Sequence, residues 1–309
     1  MRVLLTGAGG QLGQALQASA PVRLGDEPLE LVATGRQELD LADAAACSEL
    51  VRQLQPDWVL NAGAYTAVDQ AEQQPAEAEA VNHWAPAALA EALAERSDGR
   101  GRLLQLSTDF VFSGEQGSPY QPDAPIEPLG VYGITKAAGE RAVLERLQPG
   151  ERAFVLRTSW VYGPVGRNFC RTMLRLHRER AARAEVLAVV ADQVGCPTST
   201  LGLATACWRL IELANGAGHL PPILHWSDAG AASWYDFAYA IGELGLATGV
   251  LEQMAMVIPI TTADYPTPAR RPSYSLLDCT ASRAALALTP QHWRAALLAV
   301  MQRLVLEEL

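Results

Sequence analysis

Through the first 160 residues, short apolar runs alternate with longer stretches of helical spacing. The runs are RVLLT at 2–6, ELVAT at 30–34, DWVLN at 57–61, RLLQLST at 102–108 and AFVLRTS at 153–159. Apolar runs of that length, bounded by turn residues, read as buried strands. Helices are predicted from Gln11 onward, over 42–54, over 77–95 and over 132–147. Repeated strand–helix–strand units form a parallel sheet, and their crossovers are right-handed. The expectation is an α/β fold with a Rossmann-like, doubly wound parallel sheet.

After residue 160 the alternation loosens. A helix is predicted over 168–182, a strand over 185–190 and a last helix over 290–308. SWYD at 233–236 has the spacing of a capping box. Between these, proline-rich turns recur in GCPTST, HLPPI and DYPTPARRPS. This divides the chain into a dinucleotide-binding domain at 1–160 and a smaller C-terminal lobe at 161–309. The lobe is expected to bind substrate and to return some segments to the sheet.

Composition narrows the function classes. The chain has 309 residues, 49% of them apolar and 19% charged, a balance that suits a folded domain with a sizeable core. The formal charge is −10 with no basic stripe, which argues against a nucleic-acid partner. An acidic field repels anionic ligands, so local donors would have to hold them. No apolar run is long enough to span a bilayer, and the opening residues do not resemble a secretory signal. Cys47, Cys170, Cys196, Cys207 and Cys279 are scattered and odd in number. They read as reduced thiols of a cytoplasmic protein. The five histidines form no ligand-spaced pair, so no metal is expected.

TGAGGQLG follows the first strand and opens the first helix, the context a dinucleotide-binding turn requires. Gly7 permits the turn, Gly10 the approach of a pyrophosphate, and Gly13 close packing of helix on sheet. Gln11, Leu12 and Gly13 begin the helix, whose free N–H groups suit phosphate. The alternative is a tight turn without a ligand. The second strand ends at ATGR, placing Arg36 where NAD-specific sites often carry an acid. An arginine there suits a 2′-phosphate, which favours NADPH and leaves NADH open. The alternative is a surface arginine. Asp40 and Leu41 are candidate neighbours of the adenine. Gly63, Ala64 and Tyr65, at the end of the third strand, let a cofactor lie against the backbone.

One residue type sharpens the chemistry. Lys136 is the only lysine in the chain, against 23 arginines, and it follows Tyr132 by four residues. Codon bias can leave a lone lysine by accident. Yet arginine is a broad planar cation and lysine a compact one, so a site needing a point charge cannot exchange them. On a helix this spacing puts phenol and ammonium on one face. A neighbouring cation is expected to lower the phenol pKa and prepare Tyr132 for proton exchange with a carbonyl. Thr108 ends the fourth strand and is expected to hydrogen-bond the same oxygen.

These motifs together resemble the extended short-chain dehydrogenase/reductase superfamily. Within it the chain is similar to the dTDP-4-dehydrorhamnose reductases. The stretches that carry the likeness are GGQLGQAL, ELDLAD, NAGAYTAVDQAE, STDFVFSG, VYGITKAAGE, RTSWVYG, NFCRTMLRL, DQVGCPTS, SWYDFA and YPTPARRPSYSLLD. The resemblance implies hydride delivery from NADPH or NADH to the C4 ketone of dTDP-4-dehydro-L-rhamnose. Tyr132 would protonate the oxygen, Lys136 tune it and hold the nicotinamide ribose, and Thr108 assist. Asp109 and Trp160 would touch the dTDP-sugar; core packing is the alternative for Trp160. Arg270 and Arg271 are charge-based candidates for its diphosphate, with a paired surface cluster as the alternative. Sugar-nucleotide dehydratases carry an Asp-Glu pair after the threonine. Here Asp109 is followed by Phe110, which favours reduction over elimination. Some reductases of this kind bind magnesium at a dimer interface through a glutamate of the first helix. Ala15 stands there, so no metal is expected and a homodimer stays open. A non-catalytic regulatory subunit, like the methionine adenosyltransferase β subunit, and a sugar-nucleotide epimerase remain as other readings.

Overall fold

The computed structural model describes residues 1–216 and 219–307. Six strands form one parallel sheet: β1 (Arg2–Thr6), β2 (Glu30–Thr34), β3 (Trp58–Asn61), β4 (Arg102–Thr108), β5 (Ala153–Thr158) and β6 (Ile223–His225). Their order is β2-β1-β3-β4-β5-β6, every neighbouring pair parallel. The chain leaves β1 in one direction and then crosses to β3 on the other side. Sheets of this topology bind ligands at that switch point, beyond the carboxyl ends of β1 and β3.

Period-two alternation decides which helix each strand residue meets. Leu4, Val59, Leu103 and Ala153 point to one face. There they pack on α2 (Ala44–Leu54), α3 (Ala85–Ala94) and α4 (Val131–Leu147). Val3, Leu5, Trp58, Leu60, Leu104 and Leu156 point to the other. That face is covered by α1 (Gln11–Ala18) and, later in the chain, by residues 203–214. Each such side chain, when fully buried, contributes about 1.5–3 kcal/mol. The double layer is why the strand sequences are apolar at nearly every position.

The later elements are α5 (Phe169–Ala182), α6 (Thr200–Asn215), α7 (Trp234–Thr248) and α8 (Trp293–Glu307). α6 and β6 return to the main sheet, whereas α5, α7 and α8 gather a second core around Tyr162, Phe237, Ile241 and Leu297. Leu187–Val190 pairs in parallel with Val257–Ile260 at the edge of this lobe. Ser233 and Asp236 form the reciprocal capping box at the start of α7, and Gly249 ends that helix in the left-handed conformation.

Several boundaries differ from expectation for local reasons. The helix predicted over 77–95 starts earlier, at Pro75–Glu79, and contains a π-helical turn, Ala80–Trp84. The strand predicted over 185–190 begins only at Leu187, and the last helix at Trp293. Its predicted end at Glu308 lies outside the described residues. β6 is three residues long and follows two prolines, so it reads locally as a turn. All five cysteines are buried and free. No helix among the described residues is long and apolar enough to cross a membrane.

Candidate active site

The glycine turn is set by what its residues lack. Gly7 has φ +70, and a Cβ there would lie 2.5 Å from Gly63 Cα. A Cβ on Gly13 would lie 2.2 Å from the Gly7 carbonyl oxygen. Neither position accepts a side chain without moving backbone. Gly10, the N-cap of α1, offers no side chain to the helix, and its own N–H donates to Gly7 O at 2.9 Å. The first-turn N–H groups of Gln11, Leu12 and Gly13 therefore have no capping side chain. Gln11 reaches across to Val161 O and is met by Asn168, while Leu12 is buried beneath the turn. A bare helix start over a cradle that a Cβ would fill fits a pyrophosphate.

The turn's neighbours follow the carboxyl ends of β2 and β3. Arg36 is exposed just beyond β2. Asp40 is exposed and caps Ala42, and Leu41 packs over Gly63, so close that a Cβ on that glycine would clash. Ala64 and Tyr65 are half-buried. Asn82, in the π-helical turn, accepts from Tyr65 N at 2.9 Å and donates to Tyr65 O at 3.0 Å. Its amide also donates to Thr135 on α4 at 3.2 Å. Asn82 thus ties the cofactor-side loop to the helix of Tyr132 and Lys136, a link absent from the sequence reading. An extra residue per turn, as in a π turn, re-aims a side chain and so recurs at functional sites.

β4 carries Thr108 to the carboxyl edge of the sheet. The Thr108 hydroxyl donates to Asp109 Oδ1 at 3.0 Å and accepts from Phe110 N at 3.2 Å. α4 packs hard on this turn, because a Cβ on Gly133 would lie 2.2 Å from Phe110 O. Tyr132 meets Phe110 edge to face, with centroids 5.7 Å apart. Its hydroxyl lies near enough to the Thr108 side chain for Thr108 to favour the phenolate. Lys136 is 4% exposed, and its ammonium donates to Leu106 O at 2.6 Å. One turn further on, Glu140 is gripped by the buried Arg157 of β5 at 2.8–3.2 Å. That ion pair locks α4 to the sheet, and it too was not foreseen.

The electrostatics correct one expectation. Burial, with a smaller push from the Asp109 charge, drives the Tyr132 phenol up to about 12 against the opposing effect of Thr108, instead of lowering it. Burial brings Lys136 down to about 8, against the opposing charge of Glu140. The ammonium is spent on a carbonyl and is itself desolvated, so it does not pull a proton from the phenol. Tyr132 therefore keeps its proton at neutral pH. Asp109 is pushed up to about 6 by burial, and its Oδ2 has no partner within the protein.

The substrate-side candidates divide. Trp160 lies in the left-handed region at φ +47, its ring stacked on Trp234 at 3.6 Å and 6°. Arg270 is exposed. Arg271 is engaged: its guanidinium forks onto Asp69 at 3.0 and 2.7 Å.

Residues 1–306 match the family model described as RmlD substrate binding domain. The chain belongs to that family. It is 40% identical over 297 residues to a dTDP-4-dehydrorhamnose reductase of Aggregatibacter actinomycetemcomitans, covering 96% of this chain and 97% of the relative. Two solved structures of RmlD-like proteins superpose closely. A dTDP-4-dehydrorhamnose reductase of Clostridium acetobutylicum matches with TM-score 0.85 and 34% identity, over 99% of this chain and all of that one. One of Bacillus anthracis, in complex with NADP, matches with TM-score 0.83 and 32% identity, over 99% of each chain. The RmlD family assignment and the Rossmann-like architecture thus agree.

Proposed function

We propose that this protein reduces the C4 ketone of dTDP-4-dehydro-L-rhamnose to dTDP-L-rhamnose, using NADPH. The observation that carries the reading is the convergence of the Thr108 side chain and the Tyr132 phenol at the carboxyl edge of the sheet, close enough for Thr108 to favour the phenolate. When bound, the nicotinamide supplies a hydride. Tyr132 then gives its proton to the oxygen that becomes the alcohol, and Thr108 donates a second hydrogen bond to it. Lys136, held by Leu106 O, places a positive charge behind the phenol as the proton leaves. The unpaired oxygen of Asp109 is positioned to accept from a sugar hydroxyl. Phe110 occupies the position where an elimination would need a second acid, so reduction is favoured over dehydration.

Gly7, Gly10, Gln11, Leu12, Gly13, Asp40, Leu41, Gly63, Ala64 and Tyr65 form the proposed cofactor side, and Arg36 favours the 2′-phosphate of NADPH over NADH. Residues 1–160 supply that side, and 161–309 mainly shape the substrate lobe with Trp160. Arg270, exposed and free of the Asp69 pairing, is the better placed of the two arginines for a diphosphate. The bound NADP and the reductase names of the relatives support the same reading. The intact hydroxyl pair weighs against a purely regulatory role. The test is NADPH oxidation by purified protein with the dTDP-linked ketone, compared with NADH. Absence of turnover with either cofactor refutes the proposal.

A further inference from the structure

Two acids on a short helix touch both halves of the site. Asp69 lies within Val68–Ala71, and Glu72 is its C-cap. Asp69 accepts both Arg271 nitrogens and also Ala269 N, at 3.1 Å. The guanidinium hydrogen bond holds its carboxyl below the usual range, so it is ionised at neutral pH. Thr267 Oγ1 and Ala269 O accept from the same guanidinium. Glu72 Oε1 accepts Val131 N at 2.8 Å, the first N–H of α4. Gly130, the N-cap of α4, has no side chain to do this, and a Cβ there would lie 2.6 Å from Glu72 Oε1. Glu72 therefore caps the catalytic helix from outside the helix.

The segment that Asp69 holds runs on across the site. Ser273 Oγ donates to Gly114 O, Ser273 O accepts from Val194 N, and Ser275 N donates to Val194 O at 2.8 Å. The Ser275 side chain lies close enough to the Asp109 carboxyl to favour its charged form. Residues 267–278 thus form a strap carrying Arg270 at one end and the Asp109 contact at the other.

We propose that Asp69 and Glu72 are positioning residues that fasten this strap and the Tyr132 helix to one bracket. A ligand held by the strap is then presented in register to the phenol. The inference rests on the proposed reductase reading. The side chains of Asp69 and Arg271 are 40% and 22% exposed. A pair that open to water adds little to stability. Its role lies in geometry, where a misplacement of an ångström lowers rates strongly.

The experiment compares wild type with Asp69→Asn, Glu72→Ala and Glu72→Gln. It measures kcat and KM for the dTDP-linked ketone, Kd for NADPH, thermal midpoint, and amide exchange of the unliganded proteins. Asp69→Asn is expected to raise KM about tenfold while leaving kcat and the NADPH Kd within about twofold. Glu72→Ala is expected to lower kcat about tenfold, and Glu72→Gln, which keeps the acceptor, to recover most of it. In exchange, Asp69→Asn should loosen 267–278 and Glu72→Ala the first turn of α4. Wild-type kinetics and exchange in both variants would overturn the proposal. So would a parallel loss of kcat, KM and thermal midpoint without a split between the variants. If wild type itself turns nothing over, the reductase reading fails, and the exchange arm still decides the bracket.

Discussion

The glycine turn and the catalytic corner lie beside the same sheet edge but are built by opposite means. At the turn, position is enforced by missing atoms: Gly7, Gly13 and Gly63 let backbone meet backbone or a packed leucine. At the corner it is enforced by polar bonds, from Thr108 to Asp109, Lys136 to Leu106, Glu140 to Arg157 and Glu72 to Val131. A steric cradle fails when something is added. A polar corner fails when something is removed, because the abandoned partner stays buried.

That contrast can be broken at either end. The largest effect is expected from Tyr132→Phe, which should cut kcat by about 10²–10⁴ and leave NADPH affinity near normal. Loss of cofactor binding in that variant would mean that the corner also builds the cradle. Next, Gly7→Ala adds one methyl at φ +70 against Gly63. It should cost about 3 kcal/mol in denaturant unfolding, from strain plus overpacking, and abolish NADPH binding. An unperturbed melt would remove the steric account. Lys136→Arg keeps the charge but must fit a broad head into a slot 4% exposed. Turnover should fall about tenfold or more.

The smallest effects are in pH. With Lys136 brought to about 8, kcat should fall as pH rises through that value, provided the charge is needed. A rate that stays flat to pH 10 would remove the charge from the mechanism. Asp109 moves from an ordinary 3.8 to about 6, so the folded chain holds its proton more tightly than the unfolded chain. The stabilisation is full below about pH 4 and is lost as pH rises through about 6. Asp109→Asn, neutral at every pH, should therefore melt above wild type at pH 8, lose that advantage at pH 4, and lose activity at both. No difference between the two melts would show that the buried carboxylate is not strained.

The cradle was legible in the sequence because its information is local. Three glycines at fixed spacing after an apolar run specify the turn, and short apolar runs alternating with helical segments specify the sheet. The Tyr132 and Lys136 pair was legible for the same reason, since helix geometry joins positions four apart. The corner's remaining bonds were not. Arg271 and Asp69 are 202 residues apart, and Arg157 and Glu140 come from different elements. Such partners become visible only once topology is known. The direction of the Tyr132 shift was misjudged because a neighbouring cation shows in sequence, whereas desolvation shows only in the folded chain. β6 was hidden for a related reason: three residues after two prolines become a strand through Val155 and its neighbours in β5.

The single lysine has a practical corollary. Acylating reagents that modify amines find only two kinds of target in this chain, the ammonium on α4 and the terminal amine. The terminal amine is engaged with Pro28 and Glu27. The mass added by such a reagent to the peptide spanning residue 136 therefore counts openings around the buried Lys136, with no background from surface lysines.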